Sequence, residues 1–309
     1  MVAYPKSLIL LAALVTTSVT GPRASELQPA ADTPLPARQV TDNSGAPVTR
    51  IISIVPALTE MLFAVGAGPQ VIAVSSYDKF PPAVETLPRV GALLDPDVER
   101  ILTLRPDLVL IYGSQHELKV QLTKAGIRTF TYRHTGVAGV LQALRELSAA
   151  TGHSADGERK AREIQTQLDT VRARVRGYPR PRTLLVLTRK PQSLQQMYVS
   201  GDVGFLNDIL QIAGGDNVFA GVQRESVQPS HETLLARAPD AIVELHAAGM
   251  MTSTDLERER TLWATLASIP AVRRNRVHFL EGSYFVIPGP RMGLAAQALA
   301  RVLHPEAFE

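Results

Sequence analysis

The sequence predicts an α/β protein made of two Rossmann-like lobes joined by a single long α-helix. Three observations support this prediction. Strand-like apolar runs alternate with helical patterns over residues 50–132, and the same alternation returns after Pro181. Between them, residues 154–176 have the highly charged pattern of one long, half-exposed helix. Alternating strands and helices are typical of a parallel sheet covered by helices, so each lobe should contain such a sheet.

The first lobe is predicted to begin with RIISIVP, a β-branched apolar run typical of a buried strand. Pro56 suits the first turn of the next helix, and Gly66 and Gly68 suit its end. The other elements of this lobe are predicted, in order, as the strand VIAVSS, the helix VERILTLR, the strand DLVLIYG, the helix VQLTKAG and the strand IRTFTY.

A helix over residues 137–151 should precede the long helix, for which Ser154 is a candidate N-cap. The long helix ends before Gly177 and Pro179, and about 22 residues at 1.5 Å each give a rod of roughly 33 Å. The second lobe is predicted, in order, as the strand TLLVLT, the helices FLNDILQIAGG and ETLLARA, the strands AIVEL and VHFLEG, and the helix PRMGLAAQALARVL.

The amino terminus has the pattern of an export signal. Lys6 precedes an apolar run of about a dozen residues, shorter than the about 20 that a permanent membrane helix needs. We interpret this segment as a cleavable signal, with an uncleaved anchor as the alternative. The predicted division is a signal peptide at 1–24, a flexible proline-rich leader at 25–48, an amino-terminal lobe at 49–153, a linker helix at 154–178 and a carboxy-terminal lobe at 179–309.

Composition narrows the class of protein. The chain has no cysteine, which excludes disulfide bonds and the cysteine-linked lipid of bacterial lipoproteins. The net charge is +3, and removing residues 1–24, with Lys6 and Arg23 and no acidic residue, lowers it to about +1. This balance provides no electrostatic footprint for nucleic acid.

One short pattern occurs twice. Residues 98–110 read VERILTLRPDLVL and residues 231–243 read HETLLARAPDAIV, which places Glu99 and Glu232 at equivalent positions 133 residues apart. Each copy predicts a short helix that leads through Pro-Asp into a core strand. Folding explains the apolar and Pro-Asp positions of the repeat. It does not explain the glutamates, because a surface helix position accepts many polar residues.

Several motifs together resemble a known family. These are PALTEMLFAVG, VSSYDKFPP, LPRVG, VERILTLRPDLVL, LLARAPDAIV and PGPRMGLAAQAL. From about Arg50 to Leu303 the chain resembles the periplasmic substrate-binding proteins of ABC importers for vitamin B12, iron-siderophores and haem, and VSSYDKFPP most resembles the B12-binding branch. The resemblance implies the class III periplasmic binding protein fold, small hinge motion about the long helix, no catalytic residues, and a monomer that clasps its ligand between two lobes.

The resemblance also implies a partner. In this family one surface glutamate of each lobe docks into arginine pockets on the two permease subunits, and the matching positions are Glu99 and Glu232. A two-fold permease dimer, which works with ATPase subunits, needs two equivalent contacts. Carboxylate–arginine pairs are strong and frequently bidentate. A position in the first helical turn also suits a glutamate through the helix dipole, and the two roles are compatible.

The ligand-wall positions implied by the B12-binding branch are Phe80, Leu93, Tyr112, Tyr198, Ser226, Ser283, Tyr284 and Ile287. Aromatic and aliphatic walls suit a broad, largely apolar chelate, and no cofactor beyond this ligand is expected. Leu93 and Ser226 stand where B12 binders place tryptophan, and Ser283 and Ile287 replace a polar, charged pair. The resemblance therefore favours a corrinoid or other metal chelate and leaves the particular ligand open.

Haem and ferric siderophores are the nearest alternatives. Haem carriers of this family commonly coordinate iron through a tyrosine after a VG pair, where this chain has Ala92. Tyr112, Tyr198 or His134 could coordinate instead. Arg291 and Tyr284 offer some of the groups that a siderophore carrier needs, although Arg291 also suits a helix start.

Other classes of function have weaker support in the sequence. The seven histidines lack close metal-binding spacing, so import of a bare metal is not favoured. The chain also lacks a G-x-S-x-G motif, a P-loop and a G-x-G-x-x-G motif after a strand. A secreted hydrolase is therefore a distant alternative, with Asp95 and Asp97 interpreted as loop and cap residues. An adhesion role would leave the paired glutamates and the aromatic walls without a purpose.

Overall fold

The computed structural model describes residues 47–309 except 134, 247, 248 and 250. These residues form two α/β lobes joined by one long helix, so the predicted fold class is confirmed. The predicted signal peptide lies outside the described residues, as do all but the last two residues of the predicted leader and the possible ligand His134. Among the helices in the described part of the chain, none is both long and apolar enough to cross a membrane.

The amino-terminal lobe is built on a sheet of four parallel strands. Its elements are β1 (Ile51–Ser53), α1 (Pro56–Ala64), β2 (Val71–Val74), α2 (Val98–Thr103), β3 (Leu108–Tyr112), α3 (His116–Lys124) and β4 (Arg128–Tyr132), with short 3-10 helices at Gly68–Gln70 and Pro82–Thr86. The strands lie in the order β2-β1-β3-β4. Pro56 is the first residue of α1, as predicted, because its fixed φ and missing N–H suit that position.

The helix α4 (Val137–Ala150) is followed by the long helix α5 (Ser154–Arg174), which connects the lobes. At 21 residues, α5 is about 32 Å long. The prediction that Ser154 caps α5 is wrong by one position, since Ser154 is the first helical residue and His153 is the N-cap. The helices pack closely at Gly157, where a Cβ atom would come within 2.3 Å of the Ser148 side chain.

The carboxy-terminal lobe has a mixed sheet of six strands. Its elements are β5 (Arg182–Thr188), β6 (Tyr198–Ser200), α6 (Phe205–Ile212), β7 (Asp216–Asn217), β8 (Ser226–Val227), α7 (His231–Arg237), β9 (Ala241–His246), α8 (Ser253–Ala264), α9 (Pro270–Arg273), β10 (Val277–Glu281) and α10 (Met292–Leu303), with short 3-10 helices at Ser283–Phe285 and Pro305–Ala307. Strands β10, β9 and β5 are parallel, β6 and β8 continue the sheet antiparallel, and β7 pairs with the start of β5.

A continuous apolar core extends through both lobes. It includes Leu58 of α1, Leu168 of α5 and Leu299 of α10, all with no exposed surface. The buried residues of α5 recur every three or four positions, so one stripe of this charged helix faces the core. Since α5 packs on α4, α6 and α10, opening the lobes widely would expose apolar surface. This packing favours the small hinge motion that the resemblance implies.

Candidate functional site: the cleft between the lobes

The carboxyl ends of the parallel strands in the two lobes meet at a cleft. Tyr132, the last residue of β4, donates a hydrogen bond from its hydroxyl group to the carbonyl oxygen of Pro288, 3.2 Å away in the segment after β10. Ligands of open α/β sheets bind outside the carboxyl ends of the strands. The segments that follow β2, β3 and β10 therefore form the candidate binding site.

Arg291, which immediately precedes α10, links residues of both lobes in this cleft. Its guanidinium group forms a fork with Glu60 of α1, with Nε 2.8 Å from Oε2 and Nη2 2.5 Å from Oε1. Nη2 also donates to the Ser283 hydroxyl group at 2.9 Å. The guanidinium carbon lies 4.2 Å from the centroid of the Phe80 ring and 5.8 Å from that of Tyr284. Three predicted wall residues are thus gathered around one arginine.

The Glu60–Arg291 ion pair is sheltered from water, with side-chain exposures of 2% for Glu60 and 17% for Arg291. Burial raises the pKa of Glu60, although the hydrogen bond and the charge of Arg291 oppose the shift. Breaking such a buried pair leaves a costly unpaired charge, so Arg291 is needed to keep an ionised Glu60 in place.

The loop that presents Phe80 is held by Arg89. Its Nη1 atom donates to the carbonyl oxygens of Ser75 and Asp78, each at 2.9 Å, and its Nη2 atom donates to that of Val84 at 3.0 Å. The backbone is therefore fixed on both sides of Phe80. The residue itself stays 40% exposed, which leaves one face of the ring available to a ligand.

Tyr112 and Leu93 are held together on the amino-terminal lobe by Gln115. The Gln115 amide nitrogen donates to the Leu93 carbonyl oxygen, and the Gln115 amide oxygen accepts from the Tyr112 backbone N–H, each at 2.9 Å. The Tyr112 ring packs edge-on against Tyr132 with centroids 6.0 Å apart. Burial, together with the negative charge of Glu225 from the other lobe, raises the pKa of Tyr112 to about 12. Tyr112 is therefore a neutral phenol at physiological pH.

Tyr198 and Ser226 lie on the paired strands β6 and β8. Tyr198 is half-buried and Ser226 is buried, and within the described part of the chain no hydrogen bond or ring contact joins either to Arg291. Ile287, the remaining wall position, is partly buried and packs against the shared core. Seven of the eight predicted wall residues thus fall into an Arg291 group, a Tyr112 group and a strand pair, and Ile287 belongs to none of the three.

Glu99 and Glu232 are exposed and lie in the first turns of α2 and α7. The helices have N-caps of the same kind: Asp97 accepts from the Arg100 N–H and Ser230 from the Thr233 N–H. Each helix leads through Pro-Asp into a parallel strand, α2 into β3 and α7 into β9. Within the described part of the chain, no hydrogen bond or ion pair joins either glutamate to the cleft residues named above.

Three important residues of the cleft were not predicted from the sequence. Glu60 carried a signal, since it is a lone carboxylate within the apolar run ALTEMLFAV, where only a partner makes burial acceptable. Tyr132 and Glu225 gave no such signal, because each acts through a residue of the other lobe. No group of three histidine, cysteine, aspartate or glutamate side chains that could hold a metal ion occurs in the described residues.

Comparison with known proteins defines the family. Residues 51–284 match the family described as periplasmic binding protein. This match covers more than half of the chain, and the chain belongs to the periplasmic binding protein family. The family consists of binding proteins rather than enzymes, which agrees with the absence of catalytic motifs noted in the sequence.

Individual relatives agree with this assignment. A vitamin B12-binding protein of Salmonella typhimurium is 30% identical over 256 residues, which cover 82% of this chain and 90% of the relative. The crystal structure of the periplasmic vitamin B12-binding protein BtuF of Vibrio cholerae has a TM-score of 0.71 and 24% identity, covering 85% of this chain and 99% of that one. The structure of the periplasmic haem-binding protein RhuT of Roseiflexus sp. RS-1 has a TM-score of 0.70 and 25% identity, and the match covers 84% of this chain and 99% of that one.

Proposed function

We propose that this protein is the substrate-binding component of an ABC importer and that it captures a corrinoid, or a similar metal chelate, between its lobes. The observation that supports this proposal best is the cleft itself, in which the Tyr112 group and the Arg291 group offer rings and a few fixed polar atoms. Such walls suit a broad apolar ligand with polar edges. The lobes at 49–153 and 179–309 would act as the two halves of a clamp about the helix at 154–178.

Haem is the second candidate, favoured by the similarity to RhuT. The raised pKa of Tyr112 argues against it at that position, because an iron ligand of this kind must give up its phenolic proton. Tyr198 remains available as a ligand, since it is half-buried and its hydroxyl group has no hydrogen bond to a described residue. A ferric siderophore would instead use the charge of Arg291, whose guanidinium group is already bound to Glu60.

Binding of coloured ligands tests the proposed function. We expect the purified protein to bind cyanocobalamin, detected by native mass and absorbance, and to bind haemin or a ferric siderophore more weakly. Removing a well-packed aromatic anchor should cost about 2 kcal/mol or more, about thirtyfold in affinity, in Tyr112→Ala and in Tyr198→Ala. Tyr178→Ala is the matched control, because Tyr178 is half-buried next to His304, near the start of β5 and away from the cleft. Unchanged affinity for every ligand in both cleft variants would contradict the assignment.

Docking to a permease dimer is the second part of the proposal. Exchanging both Glu99 and Glu232 for alanine should leave ligand affinity intact, because neither residue touches the cleft groups. The double variant should fail to support uptake or to stimulate the transporter ATPase. Exchange to arginine should be more harmful, since a positive charge would then face an arginine pocket. The control exchanges Glu163 of α5 and Glu306 of the 3-10 helix after α10, which are exposed and lie outside the repeat. Normal uptake by the Glu99/Glu232 variant would contradict the docking role and would mean that both glutamates only stabilise the first turns of their helices.

A periplasmic location completes the proposal, with residues 1–24 as the cleaved signal. The family and the predicted signal segment support it. In the same uptake strains, the protein should appear in the osmotic-shock fraction without its first two dozen residues. Full-length protein in the cytoplasmic fraction would contradict this location.

A further inference from the structure

The two repeated helices expose the same apolar residue. One turn after Glu99, Leu102 of α2 is 38% exposed, and one turn after Glu232, Leu235 of α7 is 42% exposed. Between them in each copy lies the residue that anchors the helix, Ile101 or Leu234, with no exposed surface. The anchoring residue accounts for folding, whereas the exposed leucine adds little to the core.

The two helices are also held in the same orientation. Arg50, just before β1, donates to the carbonyl oxygens of Leu104 and Arg105 at 2.7 and 3.1 Å. Arg182, at the start of β5, donates to those of Arg237 and Ala238 at 2.7 and 3.3 Å. These are equivalent carbonyl groups at the two helix ends.

The backbone that follows each helix is equivalent as well. Arg105 and Ala238 both adopt positive φ, 47° and 43°, and each is followed by Pro-Asp. The Asp107 N–H then bonds to the Arg50 carbonyl oxygen, and the Asp240 N–H to that of Arg182. Equivalent anchoring at both ends means that the two lobes present the glutamate and the leucine in the same geometry.

Other surface positions of these helices differ between the copies. Arg100 corresponds to Thr233, and Thr103 corresponds to Ala236. A single exposed leucine is ordinary on a protein surface and needs no explanation. Here, however, two exposed leucines stand at the same position of a repeat, although the neighbouring surface positions differ. This coincidence needs an explanation, and packing within the chain does not provide one.

We propose that Leu102 and Leu235 are the apolar anchors of the permease contact, each seated in an apolar recess beside the basic pocket that receives Glu99 or Glu232. This inference rests on the proposed function. Residues three apart on a helix are neighbours, so carboxylate and isobutyl groups form one patch on each lobe. An apolar contact beside a carboxylate–arginine pair excludes water from it and strengthens the pair. A two-fold permease dimer fits two such patches, one on each lobe.

The test measures docking to the cognate permease–ATPase complex in nanodiscs, with no ligand added. Exchanging Leu102 and Leu235 together for serine should weaken docking about tenfold, since two partly exposed leucines lose their burial. The deficit should persist at 0.5 M salt. By contrast, the difference between the wild type and the Glu99/Glu232 alanine variant should shrink with salt, because it is electrostatic. The folded state should be unaffected in both variants, as thermal unfolding will show.

Matched controls keep the test specific. Val120 and Leu294 are also exposed, 53% and 50%, with one on each lobe outside the repeat, and exchanging both for serine should leave docking unchanged. Equal weakening by this control would overturn the inference. Docking of the leucine variant as tight as that of the wild type would also overturn the inference. The proposed function would still hold in that case, provided that the glutamate variant fails to dock. If wild type itself does not dock, the proposed function fails. Loss of self-association in the leucine variant, with docking unchanged, would assign the leucines to a second copy of this chain and overturn the inference.

Discussion

Replacing Arg189 by methionine is expected to destabilise the protein by about 3–5 kcal/mol, because it removes one partner of a buried ion-pair network. Arg189 follows β5 and its side chain is 4% exposed. Its Nε atom lies 3.0 Å from Glu244 Oε1, its Nη2 atom contacts Glu259, and its Nη1 atom donates to the Ser193 carbonyl oxygen at 2.8 Å. Without the guanidinium group, two carboxylates would remain buried close together.

The expected pH dependence of this effect has a definite sign. Burial opposes ionisation of Glu244, yet the contact with His246 and the charge of Arg189 outweigh it and lower the pKa of Glu244. A lowered carboxyl pKa stabilises the fold above the pKa of the unfolded chain, and this stability is lost as pH falls through the folded value. In Arg189→Met the pKa of Glu244 should rise instead, so the deficit relative to wild type should shrink as pH falls.

Chemical denaturation at neutral and acidic pH measures this effect. Arg274→Met is the matched control, since Arg274 forms an exposed pair with Asp240 at 3.1 Å. Exposed pairs are worth about 0–1 kcal/mol, so this variant should unfold nearly as the wild type does. Adding Glu259→Gln to Arg189→Met should recover part of the loss by removing one of the crowded charges. Equal stability of Arg189→Met and wild type at neutral pH would show that the network is not structural.

The fold was predictable because its signals are local. Each signal predicts the secondary structure of the residues that carry it, as do the β-branched apolar runs, Pro56 and the charged pattern of α5. The three strands that were not predicted from the sequence are short: β6 has three residues, and β7 and β8 have two each. Two or three residues cannot show a period. Their place in the sheet depends on distant partners, since β6 and β7 pair with β5 and β8 pairs with β6. The helix α8 was missed because its apolar positions are few.

The site was predictable to a smaller extent, for a related reason. Its wall positions came from resemblance, and residues such as Phe80 and Tyr284 gave no sign of a shared partner. Glu60 and Arg291 are 231 positions apart, and only the folded chain brings their side chains together. Arg291 does lie at the start of a helix, as one interpretation of the sequence had it, since it is the N-cap residue of α10. Its bond to Glu60 of the other lobe was not predicted. Pairing across such a distance depends on topology, which a single sequence does not encode locally.

Replacing Arg291 by leucine should therefore affect both stability and the cleft. Glu60, with its side chain 2% exposed, would lose the fork of two hydrogen bonds that links the lobes. If Glu60 stayed ionised, buried and unpaired, the free energy of unfolding would fall by about 3–5 kcal/mol. The true cost should be lower, because burial already raises the pKa of Glu60 and the carboxyl group can take up a proton.

The sign of the pH dependence follows from the raised pKa. A carboxyl group whose folded pKa is raised favours the folded state below the pKa of the unfolded chain, and this stability is lost as pH rises through the folded value. Removing Arg291 removes the hydrogen bond and the charge that oppose the raised pKa, so the loss of stability should be larger at pH 7 than at pH 5. Arg291→Lys keeps the charge but not the fork, and should lie between wild type and Arg291→Leu.

A double-mutant cycle with Glu60→Leu separates the ion pair from the rest of the arginine's contacts. The double variant should be less destabilised than the sum of the single variants, because it leaves no unpaired charge. It should still bind cyanocobalamin less tightly than wild type, since Phe80 loses the guanidinium group that lies 4.2 Å from its ring centroid. Strictly additive single effects, measured by denaturant unfolding at pH 7, would mean that Glu60 and Arg291 do not act as a pair across the lobes. The cleft would then depend on the core of α1, α5 and α10 alone to hold its two walls together.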